Sequence, residues 1–121
     1  MIKNAGLMLK QRAIVSTDLE ALVEPSTNVR ATRADLNRLT NRCAAVMSGL
    51  GLQQGERVAL LHNSIEFTAL FYGAAKLGLV AVPLNTRLTA SELSFMLSDS
   101  GTKALFFDPE FAATAAKSCC A

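Results

Sequence analysis

The sequence has no run of like charge. Its 12 Lys and Arg and 10 Asp and Glu residues are scattered, and the net charge is only +2. That leaves no electrostatic footprint for nucleic acid or an anionic membrane surface. Long apolar runs are also missing, so no stretch predicts a membrane span. The N-terminal residues, MIKNAGLMLKQRA, lack the long apolar core and small-residue cleavage site of a signal peptide. These absences together point to a cytoplasmic protein. There are three cysteines, an odd number at irregular spacing, which is no disulfide framework. Cys43 falls on the apolar face of a helix and reads as a small buried hydrophobe. Cys119 and Cys120 adjoin the end, and a metal site there would need more ligands than the neighbourhood holds. They read as part of a frayed terminus.

Catalytic signatures are equally scarce. No glycine-rich strand-to-helix turn and no lysine-bearing phosphate loop is present. Asp99, Asp108 and Glu110 fall in turns or caps rather than as paired carboxylates. Ser64 lacks the flanking glycines of a nucleophile elbow and reads as a helix cap. His62 is the single histidine. It has no Cys, Ser or carboxylate at recognisable spacing, so it reads as a polar strand end before a general base. No residue is assigned a catalytic role and none a metal.

What the sequence does hold is a repeated pattern of strand and helix. Its centre is Arg57 to Asn85, RVALLHNSIEFTALFYGAAKLGLVAVPLN. Val58 opens an apolar run that suits a strand buried on both faces. Asn63 and Ser64 are good N-caps, and Glu66 favours the positive end of the following helix. Phe67, Leu70, Phe71 and Ala74 make one apolar face at helical spacing. Gly73 suits close packing of helix on sheet, and Gly78 suits a left-handed helix end. Leu79 to Val82 is a second strand, which Pro83 stops. This is a right-handed βαβ crossover.

Around it, Ala5 to Arg12 predicts a short amphipathic helix, and Asp18 to Glu24 pairs with Val29 and Ala31 in a hairpin turned by Pro25 to Asn28. Thr32 and Asp35 form a capping box for a helix whose apolar face is Leu36, Leu39, Cys43, Val46, Met47 and Leu50. Thr89 and Glu92 form a second box, for a helix ending near Ser100 at Gly101. Lys103 to Phe107 is a third strand, and Glu110 to Lys117 a last helix, with Asp108 and Pro109 at its start. The expected fold is α/β: a parallel sheet of doubly wound type with flanking helices, preceded by a small helix and hairpin. Residues 1–31 carry that helix and hairpin, and residues 32–121 an αβαβαβα unit. Chemistry on such a sheet sits at the strand ends, here His62-Asn63-Ser64, Pro83 to Arg87, and Asp108-Pro109. Arg87 is the one basic residue in these loops, open to an anion contact or a loop salt bridge.

Three segments in order carry a family resemblance: TRADLNRLTNRCAAVMSGLGLQQGERVALLHNS, EFTALFYGAAKLGLVAVPLNTRLTASEL and LSDSGTKALFFD. The chain resembles the N-terminal part of an adenylate-forming (AMP-binding) enzyme of the acyl-CoA synthetase, or acid–CoA ligase, type, from about Leu7 to Phe111. The resemblance implies activation of a fatty or aromatic carboxylic acid with ATP and Mg2+, then transfer to CoA. It implies a partial domain, whose partners are the remainder of the ligase fold and the acid substrate. The family's phosphate loop, adenosine-binding residues and catalytic lysine have no counterpart among these residues. ATP, Mg2+ and CoA are therefore not expected to bind this chain tightly by itself. The residue carried over is Arg87 in NTRL, which implies a contact with a CoA phosphate, with Asn85 and Thr86 shaping its loop. An isolated part of such a domain is expected to self-associate through uncovered apolar surface. The other reading is a stand-alone, non-catalytic α/β binding module.

Overall fold

A three-stranded parallel sheet organises the molecule in a computed structural model that describes residues 4–62 and 64–119. In chain order, helix α1 (Gly6–Val15) leads to strands β1 (Glu20–Glu24) and β2 (Val29–Thr32). Helix α2 (Arg33–Gly49), strand β3 (Arg57–Leu61), helix α3 (Ile65–Lys76) and strand β4 (Val80–Pro83) follow. Helix α4 (Ala90–Ser100), strand β5 (Ala104–Phe107), a 3-10 turn (Pro109–Phe111) and helix α5 (Ala112–Cys119) complete it. Strands β1 and β2 form the separate antiparallel hairpin, and Asn28 in its turn takes the left-handed conformation with φ of 54°.

The sheet order is β4-β3-β5, all parallel. The chain leaves β3 for one neighbour and then crosses back to the other side. That reversal makes the arrangement doubly wound and puts its switch point between β3 and β5. Burial follows the alternation of β3. Val58 and Leu60 pack with Met47 of α2 and Leu70, Ala74 and Leu79 of the α3 crossover. Ala59 and Leu61 point the other way, to Leu84 and to Leu93 of α4. Both faces of β3 are covered, as its unbroken apolar run requires. Among the described residues β4 and β5 pair only with β3, so each leaves an outer edge open.

Both capping boxes form. Thr32 Oγ1 accepts from the Asp35 N–H at 3.1 Å, and Asp35 Oδ2 accepts from the Thr32 N–H at 3.0 Å. Thr89 and Glu92 do the same for α4. The hydrogen bonds from Thr32 hold the Asp35 carboxyl below the ordinary aspartate range, with a smaller contribution from Arg38. A depressed folded value gives stability that is present above the ordinary aspartate range and lost as pH falls through the folded value. Thr32→Ala should lower stability by about 1 kcal/mol in urea unfolding at neutral pH. The variant should flatten the acid limb of stability against pH only in part, because alanine keeps the backbone N–H at position 32, the larger cause of the depressed Asp35 carboxyl, and removes only the hydroxyl.

Several expectations need correction. The buried line of α2 is Leu36, Thr40 and Met47, with Cys43 partly buried beside it and Val46 56% and Leu50 62% exposed. Thr40 can take a core position because its hydroxyl donates to the Leu36 carbonyl at 2.6 Å. Gly73 packs α3 on helix α2, not on the sheet: a Cβ there would lie 3.0 Å from Cys43 Cβ and 3.2 Å from the Ala44 nitrogen. Phe71 is 38% exposed and stacks on Phe67 rather than entering the core. Pro83 is the last residue of β4, which an edge strand tolerates. Glu110 belongs to the 3-10 turn, and Asp108 makes no side-chain cap there. Cys43 is half-buried, and burial, helped by Glu66, pushes its thiol up and away from reactivity. Cys119 ends α5, while Cys120 lies outside the described residues.

Candidate functional site at the carboxyl ends of the strands

The register of β3 and β5 builds a polar cluster. Leu61 stands opposite Phe107, so the next residues, His62 and Asp108, leave the two strands side by side. Asp108 backbone N–H donates to the Leu61 carbonyl at 3.1 Å, which carries the ladder one step past the strand. His62 Nε2 lies 3.5 Å from Asp108 Oδ1, with the two side chains only 8% and 13% exposed. Ser64 donates from Oγ to the same carboxylate oxygen at 3.0 Å.

Ser64 therefore corrects the sequence reading. It holds the N-cap position of α3 in extended conformation, but its side chain makes no cap hydrogen bond. Its hydroxyl turns to Asp108, 44 residues away. The expectation took both residues as local caps, and the structure joins them across the sheet. Parallel register is the signal that would have found the pair, since it aligns strand ends distant in sequence. Asn63, named with them as a cap, lies outside the described residues.

Arg87 sits elsewhere, in the loop that follows β4 on the far side of β3. The loop is an Asx turn: Arg87 N–H donates to Asn85 Oδ1 at 2.9 Å, and Leu88 N–H to the Asn85 carbonyl at 3.2 Å. Its side chain is exposed. Ion pairs among the described residues join Arg30 to Glu20 and Arg38 to Asp35, and none includes Arg87. The salt-bridge reading of Arg87 thus has no partner among the described residues.

A third polar group ties helices together. Lys76 Nζ donates to Asn37 Oδ1 and Asn41 Oδ1, each at 2.7 Å, and so fastens α3 to α2. Burial, with a lesser push from Lys10, lowers the Lys76 ammonium below the ordinary lysine range. Asn4 Nδ2 donates to the Lys76 carbonyl at 3.2 Å and brings in the start of α1. These bonds make the group a clamp between α1, α2 and α3. Among the described residues no group of three or more His, Cys, Asp or Glu is placed to hold a metal ion. No helix among them is long and apolar enough to cross a membrane.

The chain matches the model of the family described as AMP-binding enzyme over residues 9–120. It is 63% identical over 107 residues to the long-chain-fatty-acid–CoA ligase FadD13 of Mycobacterium tuberculosis, covering 88% of this chain and 21% of that protein. It is 40% identical over 108 residues to the fatty acid–[acyl-carrier-protein] ligase ScoC of Streptomyces coeruleorubidus, covering 84% and 21%. Its fold superposes on the inhibitor-bound crystal structure of the N-terminal domain of FACL13 from Mycobacterium tuberculosis. The TM-score is 0.91 at 59% identity, over 95% of this chain and 29% of that one. The chain thus spans about a fifth of the length of these curated relatives. On the family match, which covers most of the residues, and on the shared sheet and helices, the chain belongs to the AMP-binding enzyme family.

Proposed function

We propose that these residues, 1–121, are the N-terminal portion of an ATP-dependent acid–CoA ligase that activates a fatty or aromatic acid. The observation that carries this is 63% identity to a long-chain-fatty-acid–CoA ligase over 88% of the chain. That relative favours a fatty acid over an aromatic one, and CoA over a carrier protein as acceptor. In the reaction, a carboxylate oxygen attacks the α-phosphorus of ATP and pyrophosphate leaves. The CoA sulfur then attacks the acyl carbon, and AMP departs with the oxygen. The protein works in the cytoplasm, where ATP and CoA are supplied.

The sequence carries no phosphate-loop signature, and the described residues hold no group of three or more His, Cys, Asp or Glu placed for a metal ion. In this reading ATP and its magnesium belong to the rest of the parent enzyme, and this chain alone does not form the adenylate. Acid-dependent exchange of labelled pyrophosphate into ATP tests both statements. The parent-length enzyme should catalyse it with fatty acids, and the 121-residue chain should not. Exchange by the short chain would overturn its assigned inactivity; none by the parent enzyme with any acid would overturn the ligase reading.

Arg87 is the CoA contact in this reading. Its exposed guanidinium, on a loop fixed by Asn85, suits a phosphate group. Arg87→Ala in the parent-length enzyme should raise the KM for CoA about tenfold, the loss of one charge-assisted hydrogen bond. Pyrophosphate exchange should stay unchanged. An unaltered KM would leave Arg87 a loop residue only.

Alone, the chain also self-associates. The outer edges of β4 and β5 are open, and Phe95 is 69% exposed on α4. In the parent enzyme the remaining fold covers these surfaces.

A further inference from the structure

The switch-point cluster contains a buried hydrogen-bonding atom with no partner among the described residues. His62 Nδ1 is shut away from solvent and has no hydrogen bond among the described residues. The other ring nitrogen, Nε2, faces Asp108 Oδ1 at 3.5 Å. A carboxylate oxygen attracts a proton, so Nε2 carries the ring N–H. In a neutral imidazole that leaves Nδ1 with a bare lone pair, which only a donor can satisfy. Native interiors leave few such atoms unmet, because an unmade bond there costs free energy. Ser64, bound to the same carboxylate oxygen at 3.0 Å, helps hold Asp108 beside the imidazole.

We infer that His62 is a socket for a hydrogen-bond donor, a backbone N–H or a hydroxyl, carried by the part of the parent enzyme outside these residues. The inference rests on the ligase reading, under which most of the polypeptide lies elsewhere: this chain covers 21% of FadD13. The location fits. The carboxyl ends at a switch point open a crevice that neighbouring chain or ligand enters. His62 is then a positioning residue. It fixes the ends of β3 and β5 against the adjoining segment and takes no part in the chemistry.

The test is ¹⁵N NMR of the imidazole. His62 is the only histidine of the 121 residues, so the short chain gives one pair of ring nitrogen signals. In the parent-length enzyme the signals of His62 are assigned by their absence from His62→Phe, or from His62→Gln if the first variant fails to fold. The proton should reside on Nε2 in both proteins. The Nδ1 signal should move from the position of a bare acceptor in the short chain toward that of a hydrogen-bonded one in the parent enzyme, without added substrates. His62→Phe should lower the folding equilibrium constant of the parent enzyme roughly tenfold or more. It should change that of the short chain far less. An Nδ1 signal at the same place in both proteins would overturn the inference. So would one that moves only on addition of ATP, acid or CoA, which would make the partner a ligand. Pyrophosphate exchange on the same sample separates the two readings. An active enzyme with an unmoved Nδ1 loses the socket and keeps the ligase assignment. An inactive enzyme with a shifted Nδ1 keeps the socket and loses the ligase assignment.

Discussion

Gly73→Val should lower stability by about 3 kcal/mol, as overpacking of a close contact does. The reason is the approach of α3 to α2. A single added Cβ already meets Cys43 Cβ at 3.0 Å, and both the Ala44 nitrogen and the Thr40 carbonyl oxygen at 3.2 Å. Two of those three atoms are backbone, which cannot swing aside. Valine adds two methyl groups beyond that point, so the helices must part. Gly73→Ala needs a shift of only a few tenths of an ångström, and it gains about 1 kcal/mol of helix propensity. It should come out near neutral. Urea unfolding followed by circular dichroism measures both. A valine variant as stable as the parent would mean that the helices do not touch there.

Leu60→Ala should cost about 3 kcal/mol or more. Leu60 is fully buried in the central strand, packed with Met47, Leu70, Ala74 and Leu79. Truncation loses its transfer free energy and leaves a cavity between sheet and helices that cannot close. Val46→Ala is the control, because Val46 is 56% exposed on α2. It should change stability by less than about 0.5 kcal/mol. Equal losses at the two sites would contradict the buried line drawn for α2. A drop of this size in Leu60→Ala is a large part of the stability of a domain this small.

What the sequence made legible was local. The boxes Thr32–Asp35 and Thr89–Glu92 could be read because cap and partner are three residues apart and chemically specific. The βαβ unit could be read because an apolar run, a polar turn and a helical face follow in order. What it hid was non-local or depended on geometry across elements. Ser64 has the composition of a cap, yet a carboxylate 44 residues away takes its hydroxyl. Nothing near Ser64 specifies that β5, rather than β4, adjoins β3 on that side. Thr40 was hidden because a hydroxyl reads as polar until the Leu36 carbonyl is seen to satisfy it. Val46 and Leu50 share the period of the core face, yet Val46 on α2 and Leu50 at its C-cap are both exposed. Gly73 signalled a close approach correctly and its partner wrongly, since glycine marks lack of room without saying what fills it. Arg87 was legible as a cation at a strand end, and its role depends on the family.

Among the described residues β3 is buried on both faces, β4 and β5 have unpaired outer edges, and the polar cluster at the strand ends leaves His62 Nδ1 without a hydrogen bond. A two-sided central strand with unfinished margins is what an α/β sheet looks like when further elements continue it. The most direct measurement is the intact mass of the native protein, captured by an antibody to these residues. The account predicts a product several times larger than 12.9 kDa, in keeping with a chain that spans about a fifth of its curated relatives. A native product of 12.9 kDa would contradict it and make the chain a binding module built on a ligase fold.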